Sequence, residues 1–279
     1  MGEPHTRRGG RRLRAAGIDD PAREARYLVQ TILGISATEL ILADDIPVME
    51  NDAARLDDAI ERYAGGEPLA HILGVTEFYG LSFQSSKDAL IPRPDSETLV
   101  SEALARLPTD TPATLADLGT GTACLLISVL THRPTSTGTG LDKSREAAAV
   151  ARANVVQHDL TERATIRGCR WQDWEGWGEV DMIISNPPYI ASAVVDGLDT
   201  SVRDYEPRLA LDGGPDGLVA YRSIISLASE RAKPGTWLIF EIGFDQRESV
   251  TALLETAGFG DIAHAKDLAG RDRVIAARK

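Results

Sequence analysis

Apolar positions along this chain change their period part-way. From Ala22 to Leu33 they recur at helical spacing, through Ala25, Leu28, Val29, Ile32 and Leu33. Asp20 and Pro21 suit the start of that helix, as a capping side chain and a first-turn residue, and Gly34 ends it. A second amphipathic stretch runs from about Asn51 to Tyr63 and stops at Gly65-Gly66. The region from Arg11 to about Gly66 is therefore expected to be a small helical bundle. Two short strand-like runs follow, His71 to Val75 and Phe78 to Gln84, and read as a β-hairpin linker. Ile91-Pro92-Arg93-Pro94 breaks the chain, and Asp95-Ser96-Glu97 opens a helix to about Leu107.

From Ala113 onward, strands and helices alternate. Strands are expected at Thr114–Leu118, Thr137–Leu141, Ala164–Arg167, Val180–Ser185 and Trp237–Ile242. Helices are expected after the first strand, at Ser144–Val156, at Leu218–Ala232 and at Ser249–Ala257. Gly260–His264 and Arg273–Ala277 close the chain as an antiparallel pair. Such alternation implies an α/β fold, a mainly parallel sheet with helices on both faces. The stretch Ile190–Gly217 is long and poor in pattern, and reads as a substrate-side loop.

Composition narrows the function classes. The 279 residues carry a net charge of −12, which argues against a general polyanion binder. Arg7, Arg8, Arg11, Arg12 and Arg14 are the local exception, read as a frayed, solvated start rather than an interaction arm. Cys124 and Cys169 suggest no disulfide framework and form no metal-binding cluster with the histidines, so no metal is expected. An apolar signal core and a bilayer-length run are both missing from the pattern, so the chain reads as cytoplasmic, without a membrane partner.

The narrowest chemistry lies at Asn186-Pro187-Pro188-Tyr189, directly after the apolar run that ends at Ser185. Ligand sites of open α/β sheets lie at such strand ends. Two prolines remove two N–H donors and hold the backbone extended, leaving carbonyls free to accept. With the Asn186 side-chain oxygen, that makes two acceptors for one planar –NH2 group. A bare Pro-Pro reads as a strand stop; the flanking Asn186 and Tyr189 favour the clamp.

Asp117-Leu118-Gly119-Thr120-Gly121-Thr122-Ala123 lies between the first strand and its helix. Its glycines let backbone approach a ligand, and the helix N-terminus behind them favours an anionic group. Position 124 is Cys, so a G-x-G-x-x-G dinucleotide motif is not completed. Asp142 ends the second strand, where a carboxylate can accept both hydroxyls of a ribose, or else cap the next helix. Asp173 and Trp174 follow the third strand, where an acid and an aromatic ring could bracket an adenine; Trp174 also reads as a core aromatic. Together they describe a site for a ribose, an adenine and an amino-acid carboxylate, the parts of S-adenosylmethionine.

At these residues the chain resembles the class I S-adenosylmethionine-dependent methyltransferases, and more closely the peptide chain release factor glutamine methyltransferases (the HemK/PrmC family). The resemblance begins near Ala16-Gly17-Ile18 and covers nearly the whole length. It rests on Leu90-Ile91-Pro92-Arg93-Pro94-Asp95 with Glu97, on Asp117 to Gly121, and on Ser185 to Ile190. Glu206-Pro207 leading to Ala210-Leu211, Gly213-Gly214 with Asp216-Gly217, Glu241-Ile242-Gly243, and Asp267, Gly270 and Arg273 complete it.

The resemblance implies a seven-stranded, mainly parallel Rossmann-like methyltransferase sheet at 93–279. It adds a helical substrate-recognition domain at 1–68 and a β-hairpin linker at 69–92. It implies methyl transfer to the side-chain amide nitrogen of the glutamine in the Gly-Gly-Gln loop of release factors. Asn186, Pro187 and Tyr189 would be catalytic, with Pro188 also against substrate. Asp117, Gly119, Thr120, Gly121, Thr122, Ala123, Asp142, Asp173, Trp174 and Asn186 would hold the cofactor. In this reading Tyr189 packs against the flat amide, and a monomer is the simplest state. Ala123 stands where the family usually has a third glycine; its methyl group either crowds the methionine end of the cofactor and weakens binding, or is harmless if that residue is already helical, the reading favoured here. A nucleic-acid amino-group methyltransferase shares the –NH2 geometry and is the alternative, with the acidic balance against it. A non-catalytic cofactor binder is a third reading, opposed by the intact Asp142, Asn186 and Tyr189.

Overall fold

A computed structural model describes residues 5–42 and 48–279. Residues 1–4 and 43–47, which the expected N-terminal domain spans, lie outside the described residues. The chain divides into two compact units, Met1–Gly74 and Val75–Lys279.

The first unit holds helices α1 (His5–Ala15), α2 (Pro21–Leu33), α3 (Ala37–Leu42), α4 (Glu50–Ala64) and α5 (Leu69–Leu73). Asp20 caps α2, its side chain accepting from Arg23 N at 3.4 Å, with Pro21 in the first turn and Gly34 closing the helix at φ 65°. Leu13, Ala25, Leu28, Ala59 and Ile60 form the core. The arginine-rich start is helix α1 rather than a frayed end. Gly9 and Gly10 are buried in it, and a Cβ on Gly9 would stand 2.9 Å from Ile60 Cδ1. Arg8 and Arg12 both donate to Asp57, at 2.5 and 3.2 Å. Close helix packing and that ion pair outweigh the poor helix propensity of two glycines.

His71 to Leu73 are helical, not the first strand of a hairpin. Pro68 opens the turn at φ −61°, ψ 139°, and Leu69, Ile72 and Leu73 fall at helical spacing onto the core of this unit. Gly74, at φ 71°, ends α5. The hairpin proper is β1 (Val75–Phe78) with β2 (Leu81–Gln84), in register Val75↔Gln84 to Phe78↔Leu81.

The second unit continues with α6 (Glu97–Arg106), β3 (Thr114–Leu118), α7 (Cys124–His132), β4 (Thr137–Asp142) and α8 (Arg145–Gln157). Then come β5 (Ala164–Gly168), β6 (Met182–Ser185), α9 (Ser192–Val195), α10 (Thr200–Arg203) and α11 (Arg208–Leu211). It ends with α12 (Val219–Arg231), β7 (Trp237–Glu241), α13 (Arg247–Thr256), β8 (Gly260–Lys266) and β9 (Asp272–Arg278). Among the described residues the sheet has seven strands in the order β5-β4-β3-β6-β7-β9-β8. β3 to β7 run parallel, and β9 pairs antiparallel with β7 and with β8. The expected α/β architecture with a mainly parallel sheet is borne out.

Alternate residues of each central strand enter opposite cores. Leu115, Met182, Ile184 and Ile239 pack on one side with α6, α7 and α8, and Phe78 and Phe83 of the hairpin join them. Ala116, Ile183, Leu238 and Phe240 pack on the other with Tyr221 and Ile224 of α12 and Val250 and Leu254 of α13. With both faces covered, a central strand reads as an unbroken apolar run. β3 and β6 are therefore buried side by side, and their C-terminal ends open together. The long stretch after β6 is not structureless: it carries α9, α10 and α11 and returns to pair Ile190 with Asp212. No helix among the described residues is long and apolar enough to cross a membrane.

Candidate active site

The chain leaves β3 through a loop whose shape is set by hydrogen bonds to β4. Gly119 N and Thr120 N both donate to Leu141 O, at 2.8 and 2.9 Å. Gly119 and Gly121 sit at φ 75° and 54°, where a side chain is disfavoured, so glycine is what lets this backbone turn. A Cβ on Gly121 would meet nothing within 4 Å, and one on Gly119 only Trp171 Cζ3, at 4.0 Å. The loop rim is thus bare backbone facing a cavity.

Two carboxylates hold the loop. Asp142 Oδ2 accepts from Gly121 N at 3.0 Å, and Oδ1 accepts from Ser144 N at 2.9 Å. The cap of α8 is Ser144 itself, accepting from Ala147 N at 3.0 Å. Burial pushes the Asp142 carboxyl up, against the two backbone N–H groups that favour its charge. Asp117 lies beneath the loop, fully buried, and its Oδ2 accepts from Thr120 Oγ1 at 2.6 Å. Its Oδ1 has no hydrogen bond among the described residues. Burial pushes this carboxyl up to about 7, opposed chiefly by the Thr120 hydroxyl.

Beside the loop, β6 ends at Ser185, whose hydroxyl donates to Leu118 O at 2.5 Å and ties the two strand ends together. Asn186 follows at the cavity wall, with Nδ2 donating to Ser96 Oγ at 3.3 Å. The rest of the tetrapeptide is gripped from behind. Gln246 Nε2 donates to Tyr189 O at 3.0 Å, and Gly213 N donates to Ile190 O at 2.8 Å. A Cβ on Gly213 would stand 2.7 Å from Pro188 O, and one on Gly217 2.3 Å from Tyr189 O. Those glycines are required by close approach, and neither position admits a larger residue without moving the tetrapeptide.

Ser96 reaches Asn186 because the Pro-Arg-Pro segment is pinned at two points. Glu206, buried, accepts from Arg93 Nη2 and from Ile91 N, the latter at 3.2 Å. Arg273, also buried, pairs with Asp95 and Asp267, both at 3.1 Å.

One cavity gathers these parts. The glycine loop supplies Gly119 to Thr122, β4 and its turn supply Asp142 to Ser144, and the tetrapeptide supplies Asn186 and Pro188. Pro92, Arg93 and Ser96 line it from the Pro-Arg-Pro segment, Pro207, Leu209 and Ala210 from the stretch after β6, and Trp171 from the turn after β5.

Residues 6–74 match the family model described as the PrmC N-terminal domain, and residues 96–202 the one described as the methyltransferase small domain. A release factor glutamine methyltransferase of Caulobacter vibrioides is 41% identical over 264 residues, covering 95% of this chain and 91% of that protein. Another, of Agrobacterium fabrum, is 39% identical over 273 residues, covering 96% and 94%. This chain belongs to the release factor glutamine methyltransferase family. Two solved structures show the fold alone. The hMettl16 catalytic domain in complex with the MAT2A 3′UTR hairpin 6 has a TM-score of 0.58 at 16% identity, covering 84% of each chain. A methyltransferase from Pyrococcus furiosus has a TM-score of 0.52 at 15% identity, covering 83% of this chain and 99% of that one.

Within that family framework, the residues named from sequence divide. Gly119, Thr120, Gly121, Thr122, Asp142, Asn186 and Pro188 line the cavity. Asp117 and Pro187 are buried behind its wall. Asp173 points to solvent in a pair with Arg170 at 2.8 Å, and Trp174 is buried against Trp177 with ring centroids 5.7 Å apart. Neither lines the cavity; Trp171 does, with its Nε1 donating to Ser223 Oγ at 3.1 Å. The turn Trp171–Asp173 carries the chain across the strand end, so the first tryptophan faces the cavity and the second the core.

Tyr189 is also off the cavity wall: its ring packs on the second core and its hydroxyl donates to Glu241 Oε1 at 3.3 Å. Ala123 is not helical but left-handed, at φ 63°, ψ 19°, ahead of the first turn of α7 and fully buried in the core. That is a conformation glycine adopts without the strain an alanine carries. Sequence reasoning missed Trp171 and gave no role to Ser96 and Glu241, although Ser96 and Glu241 lie in motifs that carried the resemblance.

Proposed function

We propose that this chain methylates the side-chain amide nitrogen of the glutamine in the Gly-Gly-Gln motif of peptide chain release factors, with S-adenosylmethionine as donor. The observation that carries the reading is Asn186: with its nitrogen bound to Ser96, its oxygen is the end left for a ligand, in the cavity that the glycine loop also lines. Membership of the family supports glutamine as the acceptor, and the net charge of −12 weighs against nucleic acid.

The cavity fits S-adenosylmethionine. Bare backbone at Gly119 and Gly121 admits close approach, Asp142 offers carboxylate lone pairs to ribose hydroxyls, and Trp171 offers a ring face to the adenine. Trp171 takes the part that sequence reading gave to Trp174 and Asp173. Asp117 acts from below, holding Thr120 and so the shape of the loop. When bound, S-adenosylmethionine supplies an electrophilic methyl group on a positively charged sulfur.

This chain's own contribution is to aim a poor nucleophile. An amide nitrogen shares its lone pair with its carbonyl. Asn186 Oδ1 and the backbone carbonyl of Pro187, whose ring is buried behind the wall, accept the two amide hydrogens and so fix the direction of the nitrogen. Positioning of this kind supplies on the order of 7–11 kcal/mol at best. The two hydrogen bonds strengthen as positive charge develops on nitrogen, which adds to it. A base is not needed beforehand, because the proton becomes acidic only as the nitrogen becomes cationic; Asn186 Oδ1 orients that N–H, and the proton is then lost to water. Tyr189 works from behind the wall, anchoring the tetrapeptide through Glu241 rather than stacking on the amide.

The test is transfer of a tritiated methyl group from S-adenosylmethionine to purified release factor, DNA and RNA in parallel. Label in release factor, lost when the Gly-Gly-Gln glutamine is replaced by alanine, is expected. Label in an adenine or guanine instead would overturn the reading.

A further inference from the structure

The Asn186 clamp works only one way round. Half a turn of its side-chain amide exchanges Oδ1 for Nδ2 with almost no change of shape. Turned that way, an –NH2 group would meet the acceptor's own –NH2, and the proton that Asn186 should accept would find no partner. A neighbour must tell the two ends of Asn186 apart.

Asn186 Nδ2 donates to Ser96 Oγ at 3.3 Å. A serine hydroxyl alone does not discriminate, because it both donates and accepts. Ser96 is buried, and so is its neighbour Glu241, at 1% exposure. Oε1 of Glu241 takes the Tyr189 hydroxyl, while Oε2, also buried, has no hydrogen bond among the described residues. A carboxylate only accepts. Its open Oε2 is an acceptor available to the Ser96 proton; a proton turned that way leaves the serine lone pairs for a donor, and Nδ2 is the end of Asn186 that can be one.

The surroundings of Glu241 act on its carboxyl in both directions. Burial pushes its carboxyl up, and the Ser96 hydroxyl, the Arg273 guanidinium and the Tyr189 hydroxyl act against burial, with Asp95 opposing them. Arg273 is held beside Asp95 and Asp267.

We propose that Ser96, backed by Glu241, is the positioning residue that turns the Asn186 oxygen toward the acceptor amide; this rests on the function proposed above. Three segments far apart in the chain then act as one device, and Glu241 holds both ends of the tetrapeptide, Asn186 through Ser96 and Tyr189 directly.

The experiment uses the full chain. Ser96→Ala lowers kcat for release-factor methylation by up to about ten-fold, the worth of one neutral hydrogen bond. KM and the calorimetric affinity for S-adenosylmethionine stay near their wild-type values, and Ser96→Thr restores kcat. Nuclear magnetic resonance reads the device without turnover. The side-chain amide protons of Asn186, assigned by their loss in Asn186→Asp, shift in Ser96→Ala and return in Ser96→Thr. Unmoved amide signals in Ser96→Ala overturn the proposal whatever kcat does. Wild-type protein that fails to methylate release factor instead overturns the functional reading, and the amide signals still test the role of Ser96.

Discussion

At one end of the cavity the wall is backbone: Gly119 and Gly121 turn with positive φ, and N–H groups bonded to Leu141 and Asp142 hold the turn. At the other end the wall is side chain: Asn186 stands against Ser96, with Tyr189 anchored on buried Glu241. The backbone end is assembled from residues 117 to 142, neighbours in one strand-turn-helix-strand unit. The side-chain end needs residues from 96 to 241, brought together only by the finished sheet. The first, which we propose holds the cofactor, is built locally. The second, which we propose holds the acceptor, is built by long-range contacts. Mutations at the two ends should therefore separate binding from turnover.

The largest effect is expected at the side-chain end. Asn186→Ala should lower kcat by roughly 10²–10³-fold, the range for losing one preorganised polar group at a reacting centre. Calorimetric affinity for S-adenosylmethionine should be close to wild type. An equal loss of cofactor affinity would erase the distinction between the ends.

Next in size is a pH effect at the backbone end. A carboxyl raised from about 3.8 to about 7 by burial favours the protonated form in the folded protein. Its contribution to stability is therefore fully present below the unfolded pKa and lost as pH rises through about 7. Asp117→Asn should remove that dependence. Denaturant midpoints should show wild type losing on the order of 2–4 kcal/mol relative to the variant between about pH 4 and pH 8. Parallel stability profiles for the two proteins would contradict the assignment.

Smaller effects sharpen the cofactor side. Trp171→Ala should weaken S-adenosylmethionine binding by about ten-fold, given about 0.5–1.5 kcal/mol for an aromatic pair beyond its buried area. Trp174→Ala should leave that affinity near wild type and act on the melting temperature instead, because its ring fills the core. The reverse pattern would return the adenine to Trp174. The smallest change is Ala123→Gly. It relieves a left-handed alanine and should stabilise the protein by about 0.5–1 kcal/mol in urea titration, after the added flexibility of the unfolded chain is counted. A loss of stability would show that the alanine methyl in the core is worth more than the strain.

Much of the fold was legible because both faces of the sheet are buried. Apolar runs such as Leu115–Leu118 and Met182–Ile184 are unbroken for that reason, and the glycines after β3 mark its turn. The N-terminal errors have local causes. Pattern alone did not separate the single helical turn Leu69–Leu73 from a strand, and five arginines concealed a helix whose packing depends on Gly9 and Gly10. At the site, Trp171 and Trp174 are three positions apart in the same kind of sequence, and only the turn between them decides which faces the cavity. Ser96 and Glu241 lie in motifs that carried the resemblance, but nothing in those motifs shows what either side chain touches. Ser96 is 90 positions from Asn186, so their pairing exists only once β6 lies beside the Pro-Arg-Pro segment.

The central claim is that the Asn186 tetrapeptide clamps a glutamine amide. It is tested most directly by fragment mass spectrometry of release factor after incubation with this enzyme and S-adenosylmethionine. One methyl group on the side-chain nitrogen of the Gly-Gly-Gln glutamine, nearly absent with Asn186→Ala, is the predicted result. A methyl group on any other residue, or equal methylation by the variant, would contradict it.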